Sequence, residues 1–370
     1  MEYKVISADN HILEPRNLFV ERLPVEFRDR APRVLRGADG GDGWSFDGGP
    51  PQRTLGIEAT AGRSVQISGY KWEEILPGNY DGAAHLADMT AEGVDAAMLF
   101  PSVPLQGWSM HDDPFGLALM QTFNDWVFDD FCAPDPKRLI ALPMMPVNHS
   151  MEVLLAEMDR CLKKGAKGLH IPVYPDRAYI DPWYEPFFRA AEEADVPLCM
   201  HRTSGGIDKS GKANFQFTVP GVNVAGTVTR YFAGVEPLTM LIFTGVFKRH
   251  PKLKIMDAEL NFGWVPFWKN TMNECFEKQK GWAKFPIEEL PGEALGRNVF
   301  VTVLDDKLGF DLVASESWLA DVALFSLDYP HSICLWPGTA GYIERTAANC
   351  NPASKHKILA GNAVRIFNLN

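Results

Sequence analysis

Eight short apolar runs recur along the chain, and most are followed by a stretch with helical spacing of its apolar residues. The runs are YKVISAD (3–9), DAAMLFPS (95–102), RLIALPMMP (138–146), KGLHIPV (167–173), VPLCMH (196–201), LKIMDAE (253–259), NVFVTV (298–303) and DVALFSLD (321–328). They lack the polar alternation of a half-solvated strand, as expected for parallel strands covered on both faces. The segments between them are helix-like: 113–132 and 181–195 open with Asp-Pro, 150–165 is amphipathic and closes at Gly165, and 237–250 and 263–279 follow. Eight strands alternating with helices predict an α/β fold, a (β/α)8 TIM barrel. An open doubly wound sheet is the competitor, but no Gly-rich phosphate turn follows any strand.

Two regions depart from the rhythm. Residues 28–80, with RGADGGDGWSFDGGPPQ inside them, are rich in Gly, Asp and Pro. They predict loops or a small hairpin inserted after the first strand and projecting over the C-terminal face of the barrel. The tail beyond Asp328 predicts two or three extra C-terminal helices. Residues 1–370 are read as one barrel domain.

Thirty-six Lys and Arg against 47 Asp and Glu leave a formal charge of −11. That balance argues against nucleic-acid and membrane partners, since neither phosphates nor anionic lipids find a basic stripe. No secretion signal is visible at the start, and the apolar stretch PLTMLIFTGVF is too short to span a bilayer. The six cysteines are scattered without CxxC spacing and are read as reduced thiols, so a cytoplasmic location is expected.

In such barrels chemistry collects where strands end at the C-terminal face. The first run ends in Asp9 and His11, two metal-capable groups spaced i, i+2, which is equally the pattern of a polar strand end. The fourth ends in His170, the fifth in His201 followed by Arg202, the sixth in Asp257 and Glu259, and the eighth in Asp328 with His331 just beyond. Imidazoles and carboxylates converging on one mouth suit zinc, manganese or iron. Arg202 could pair a substrate carboxylate or simply a neighbouring acid. His170 and His331 are candidate substrate contacts. Glu259 is a candidate acid/base or an orienting group for a ligand histidine. His250, at a helix end, is read as structural. His85, on a helix, is given no role.

The words VISADNHILEP, FTGVFKRHPKLK, AELNFGWVPF, LFSLDYPH and KILAGNAVRIFNL, in that order over nearly the whole chain, resemble the amidohydrolase-2 family. This is the branch of metal-dependent hydrolases that includes aminocarboxymuconate semialdehyde decarboxylase and the resorcylate-type aromatic acid decarboxylases. The resemblance implies one divalent metal, Zn2+ first and Mn2+ second, held by Asp9, His11, His201 and Asp328. It also implies a homodimer and a small-molecule substrate. Two positions depart from the family pattern. Glu259 in AELNFGW stands where family decarboxylases carry a catalytic histidine, and Leu327 replaces a small polar residue beside Asp328. The departure at Glu259 puts first a hydrolase acting through a metal-activated water, with Asp328 and Glu259 catalytic. A non-oxidative decarboxylase of an aromatic or unsaturated acid is the alternative, and a non-catalytic metal- or ligand-binding barrel the third reading.

Overall fold

A computed structural model of the protein describes residues 2–51, 53–63, 66, 69–111, 113–202 and 222–369. Among them, eight parallel strands lie at the eight apolar runs: β1 (Ile6–His11), β2 (Ala96–Phe100), β3 (Leu139–Ala141), β4 (Leu169–His170), β5 (Leu198–His201), β6 (Ile255–Ala258), β7 (Val299–Val303) and β8 (Ala323–Phe325). They form two sheets, β1-β2-β3 and β4-β5-β6-β7-β8. Hydrogen bonds join the sheets at both junctions. His170 N donates to Pro143 O (2.8 Å) and Met145 N to His170 O (2.9 Å), while Asp328 N donates to Asp9 O (2.9 Å) and His11 N to Tyr329 O (2.7 Å). The result is the TIM barrel that the alternation predicts.

Side chains of one strand face fill the barrel, including Ile6, Ala8, Met98, Phe100, Cys199, Met256, Phe300 and Leu324. Each such burial contributes about 1.5–3 kcal/mol for a large apolar side chain. Ile366 and Phe367, from the last helix (Asn362–Phe367), join the same cluster, so the tail predicted as extra helices packs onto the barrel interior. The opposite strand faces pack against the surrounding helices.

The helix starts follow from their caps. Asp113 accepts from Phe115 N (2.8 Å), Ser150 from Val153 N (3.3 Å) and Asp181 from Trp183 N (2.8 Å), which satisfies amides left open in a first turn. The expected single helix over 237–250 is instead two, Val235–Phe243 and Val246–Arg249. They part at Gly245, whose φ of 72° is left-handed. Within 28–80 lies a three-stranded antiparallel sheet of Arg33–Arg36, Asp42–Ser45 and Arg53–Thr54. The segment reaches the end of β8, where Ala61 N donates to Pro330 O (3.0 Å). All six cysteines are free thiols. No helix among the described residues is long and apolar enough to cross a membrane.

Candidate metal centre

The C-terminal ends of β1, β5, β6 and β8 bring their polar residues to one buried place. The β1 register shifts between Ser7 and Asn10, so those two share the outer side and hydrogen-bond at 2.7 Å. Asp9 and His11 are left for the inner side. Both Glu259 (φ 60°) and Asp328 (φ 58°) adopt the left-handed region, which a side chain with a Cβ rarely occupies. Such strain persists only where surrounding contacts impose it, and it concentrates at functional sites. Here Thr302 Oγ1 accepts from Glu259 N (2.8 Å), and Asp9 O accepts from Asp328 N.

His11 Nε2 is the hub. It lies 3.4 Å from Asp9 Oδ1, 3.3 Å from Asp328 Oδ1 and 3.1 Å from His201 Nε2. His201 Nε2 is 3.9 Å from Asp9 Oδ1 and 3.4 Å from Glu259 Oε2. His331 stacks on His11 at 3.8 Å between centroids and places Nδ1 3.1 Å from Asp328 Oδ1. Asp9 and Asp328 are wholly buried, and their carboxylate oxygens lack hydrogen-bond partners of normal geometry. Two sets of donor atoms lie within 4.8 Å of one another: Asp9, His11 and His201, and His11, Asp328 and His331.

These distances fit a cation. Donor atoms bound at about 2.0–2.2 Å to one ion are separated by about 3.0–3.5 Å from each other, which covers most of the separations around His11 Nε2. Orphaned buried carboxylates demand a positive charge, and His11 is the imidazole they act on most strongly. Burial works against a charge on His11, yet Asp328 and Asp9 outweigh it and raise its pKa to about 10. Burial raises Asp9 against the pull of His11. Burial also opposes the charge on Asp328, but His331 and His11 hold it well below the ordinary carboxylate range. Burial, then His11, keep His201 neutral, and burial with Asp328 nearby pushes Glu259 well up.

Around this cluster, Arg202 lies with Nε against Glu259 Oε2 and its guanidinium over the Tyr231 ring at 4.8 Å. The structure thus gives Arg202 the neighbouring acid as partner. His170 is fully buried, edge-on to Phe100 and Trp108 at 4.8 Å each. Its Nδ1 donates to Cys199 O (2.9 Å), which leaves Nε2 a bare acceptor, and burial lowers its pKa to about 3. Asp257 does not join the group: it packs on the helix side of β6 against Gly234. His250 pairs with Glu185 (2.8 Å) and Glu192 (3.3 Å), away from the cluster.

Sequence reasoning overlooked His85. It is fully buried behind β1, where Nε2 meets Asn10 Nδ2 (3.1 Å) and Nδ1 meets Gly78 O (2.7 Å). No local signal marks it, because its side-chain partner, Asn10, lies 75 positions away.

The profile of a family described as amidohydrolase matches residues 77–369. The chain belongs to that family. The matched segment contains His201, Glu259 and Asp328 and begins after Asp9 and His11. The family is one of enzymes, so the expectation of an enzyme stands, and the resemblance carried by the sequence words is shown. Solved structures of similar fold cover nearly the whole chain. An amidohydrolase from Mycobacterium avium subsp. paratuberculosis K-10 is 21% identical with a TM-score of 0.78, over 99% of this chain and 98% of that one. A 5-carboxyvanillate decarboxylase from Sphingomonas paucimobilis is 21% identical with a TM-score of 0.68, over 100% of both. A dihydroxybenzoic acid decarboxylase from Polaromonas sp. JS666, with bound manganese and the inhibitor 2-nitroresorcinol, is 17% identical with a TM-score of 0.66, over 100% and 98%.

Proposed function

We propose that this enzyme is a metal-dependent, non-oxidative decarboxylase of an aromatic or unsaturated carboxylic acid. The observation that carries the reading is the buried Asp328 carboxylate with His331 Nδ1 3.1 Å away. Losing carbon dioxide without an oxidant leaves an electron pair on carbon, which a proton must capture. His331 is the partly exposed member of the group and Asp328 the buried one, so a proton enters through His331 and passes to Asp328 and then to the substrate carbon. The decarboxylases among the similar folds support this reading over the hydrolase placed first on sequence grounds.

Asp9, His11, His201 and Asp328 would hold the ion. Bound there, it would anchor the substrate's carboxylate and an adjacent hydroxyl and stabilise the negative charge that develops. Two carboxylates beside two imidazoles suit manganese as well as zinc, and the manganese in the dihydroxybenzoic acid decarboxylase brings Mn2+ forward. Arg202 and Glu259 hold each other at the edge of the site, with Glu259 Oε2 3.4 Å from His201 Nε2. His170 offers a fixed neutral acceptor. A single domain with residues 28–80 beside the mouth, a homodimer and a cytoplasmic location complete the reading. They rest on the contact of Ala61 with Pro330, on the family and on the free thiols.

Hydrolysis is the second reading, and the carboxylate of Glu259 favours it, since a buried glutamate 3.4 Å from His201 can take a proton from water. Incubation of the Mn2+- and Zn2+-loaded enzyme with hydroxybenzoate-type acids and with their esters and amides in 18O-water separates the two. Carbon dioxide release with no 18O in the organic product is expected. Labelled product without carbon dioxide would overturn decarboxylation in favour of hydrolysis.

A further inference from the structure

We propose that Ser7, Asn10 and His85 form a one-way hydrogen-bond relay that sets the spacing between the Asp9–His11 end of β1 and Asp328, and so tunes the affinity for the metal. The inference rests on the cation reading of the site. It assigns a positioning role to residues that touch neither ion nor substrate.

Each link has one direction only. Gly78 O can only accept, so His85 Nδ1 carries the hydrogen and Nε2 is the lone pair. That lone pair accepts from Asn10 Nδ2. Asn10 Oδ1 therefore faces Ser7 Oγ at 2.7 Å and accepts its proton, with Asp9 O a second acceptor at 3.0 Å. Ser7 Oγ in turn accepts from Leu327 N (2.8 Å), the amide next to Asp328. A flipped Asn10 amide would require hydrogens on both nitrogens of His85, a buried imidazolium. Burial lowers the pKa of His85 to about 4, so the ring stays neutral and the flip is disfavoured.

Ser7, Asn10 and His85 are all fully buried, so water cannot replace a missing partner. The relay also has a second strand. His85 belongs to the helix Gly82–Ala91, and Asp88, one turn on, accepts from Tyr329 Oη. Tyr329 O accepts from His11 N. One short helix thus grips the end of β1 through Asn10 and the end of β8 through Tyr329. Gly78 permits this approach, since a Cβ there would overlap both Tyr329 and Asp88. A ring that only filled space would need neither direction nor partners, and phenylalanine would serve as well.

The test uses metal-free full-length protein titrated with Mn2+, with free ion read by electron paramagnetic resonance, for wild type, His85→Phe, His85→Gln and Ser7→Ala. The relay predicts that His85→Phe and Ser7→Ala each raise Kd by about 10–100-fold, the usual cost of losing a group that orients a ligand. His85→Gln, which supplies an acceptor and a donor, should recover most of the loss. Histidine 15N spectra of wild type should show His85 protonated at Nδ1. An unchanged Kd in folded His85→Phe overturns the relay, as does a ring protonated at Nε2. Should His85→Phe fail to fold, an unchanged Kd in Ser7→Ala overturns it. Wild type that takes up no Mn2+, Co2+ or Zn2+ fails at the earlier step: it removes the cation reading, and the relay with it.

Discussion

Asp257→Asn should raise thermal stability increasingly as pH rises from 5 to 7. Asp257 is fully buried on the helix side of β6, and neither oxygen has a hydrogen-bond partner of normal geometry. Burial, reinforced by Asp9, outweighs the nearby Ala258 amide and pushes its pKa well above the ordinary value. In the unfolded chain the same group ionises near pH 3.9. A carboxyl whose folded pKa is raised favours the folded state below the unfolded pKa and loses that advantage as pH climbs toward the folded one. Over that window wild type loses about 1.4 kcal/mol per pH unit relative to a variant that cannot ionise there. An unfolding entropy of about 2.1 cal/mol/K per residue, over a chain of 370 residues, turns this into about 2 °C per unit. Scanning calorimetry of both proteins at pH 5, 6 and 7 should therefore show the Tm gap moving by about 4 °C in favour of the variant. The new amide also brings hydrogens that lack acceptors, but that cost is the same at every pH and leaves the slope intact. A gap that stays constant from pH 5 to 7 would refute the reasoning, since Asp257 would then be ionised in the native protein.

Two further outcomes follow from the site. Asp9→Ala removes one orphaned carboxylate and one donor, and metal content by elemental analysis should fall from near one equivalent to below about 0.1 after dialysis, a loss of at least tenfold in affinity. Retention of a full equivalent would remove Asp9 from the ligand set. If the reaction is hydrolysis, Glu259→Gln should lower kcat by about 100-fold with metal content retained, whereas decarboxylation through His331 and Asp328 should leave kcat within a few fold. An unchanged kcat would leave Glu259 only its contact with Arg202.

The barrel was legible because parallel strands covered on both faces leave unbroken apolar runs, and because Asp, Ser and Pro mark the helix starts chemically. The cluster was legible because polar residues interrupt those runs only where strands end. Other features were hidden for physical reasons. Asp257 and Glu259, two apart, share a face in any regular strand, so both read as mouth residues. The left-handed φ of 60° at Glu259 breaks the alternation and sends them to different sides. Arg202 left two partners open because its pairing with Glu259 depends on how adjacent strands align. His85 lies 75 positions from Asn10, and nothing near it in sequence distinguishes it from an ordinary helical histidine. The break at Gly245 is the opposite case, since a glycine inside a helical pattern was visible and was absorbed into one long helix.

The junction of β1 with β8 has a consequence for biosynthesis. Asp328 emerges about 320 residues after Asp9 and His11, roughly 15–60 s at ordinary rates of translation. Until then the nascent chain carries an unpaired strand edge and at most three of the four proposed donors. A polypeptide released early, anywhere before β8, keeps Asp9, His11 and often His201 yet cannot close the ring around an ion. On the proposed ligand set, only chains that extend past β8 can offer an ion all four donors.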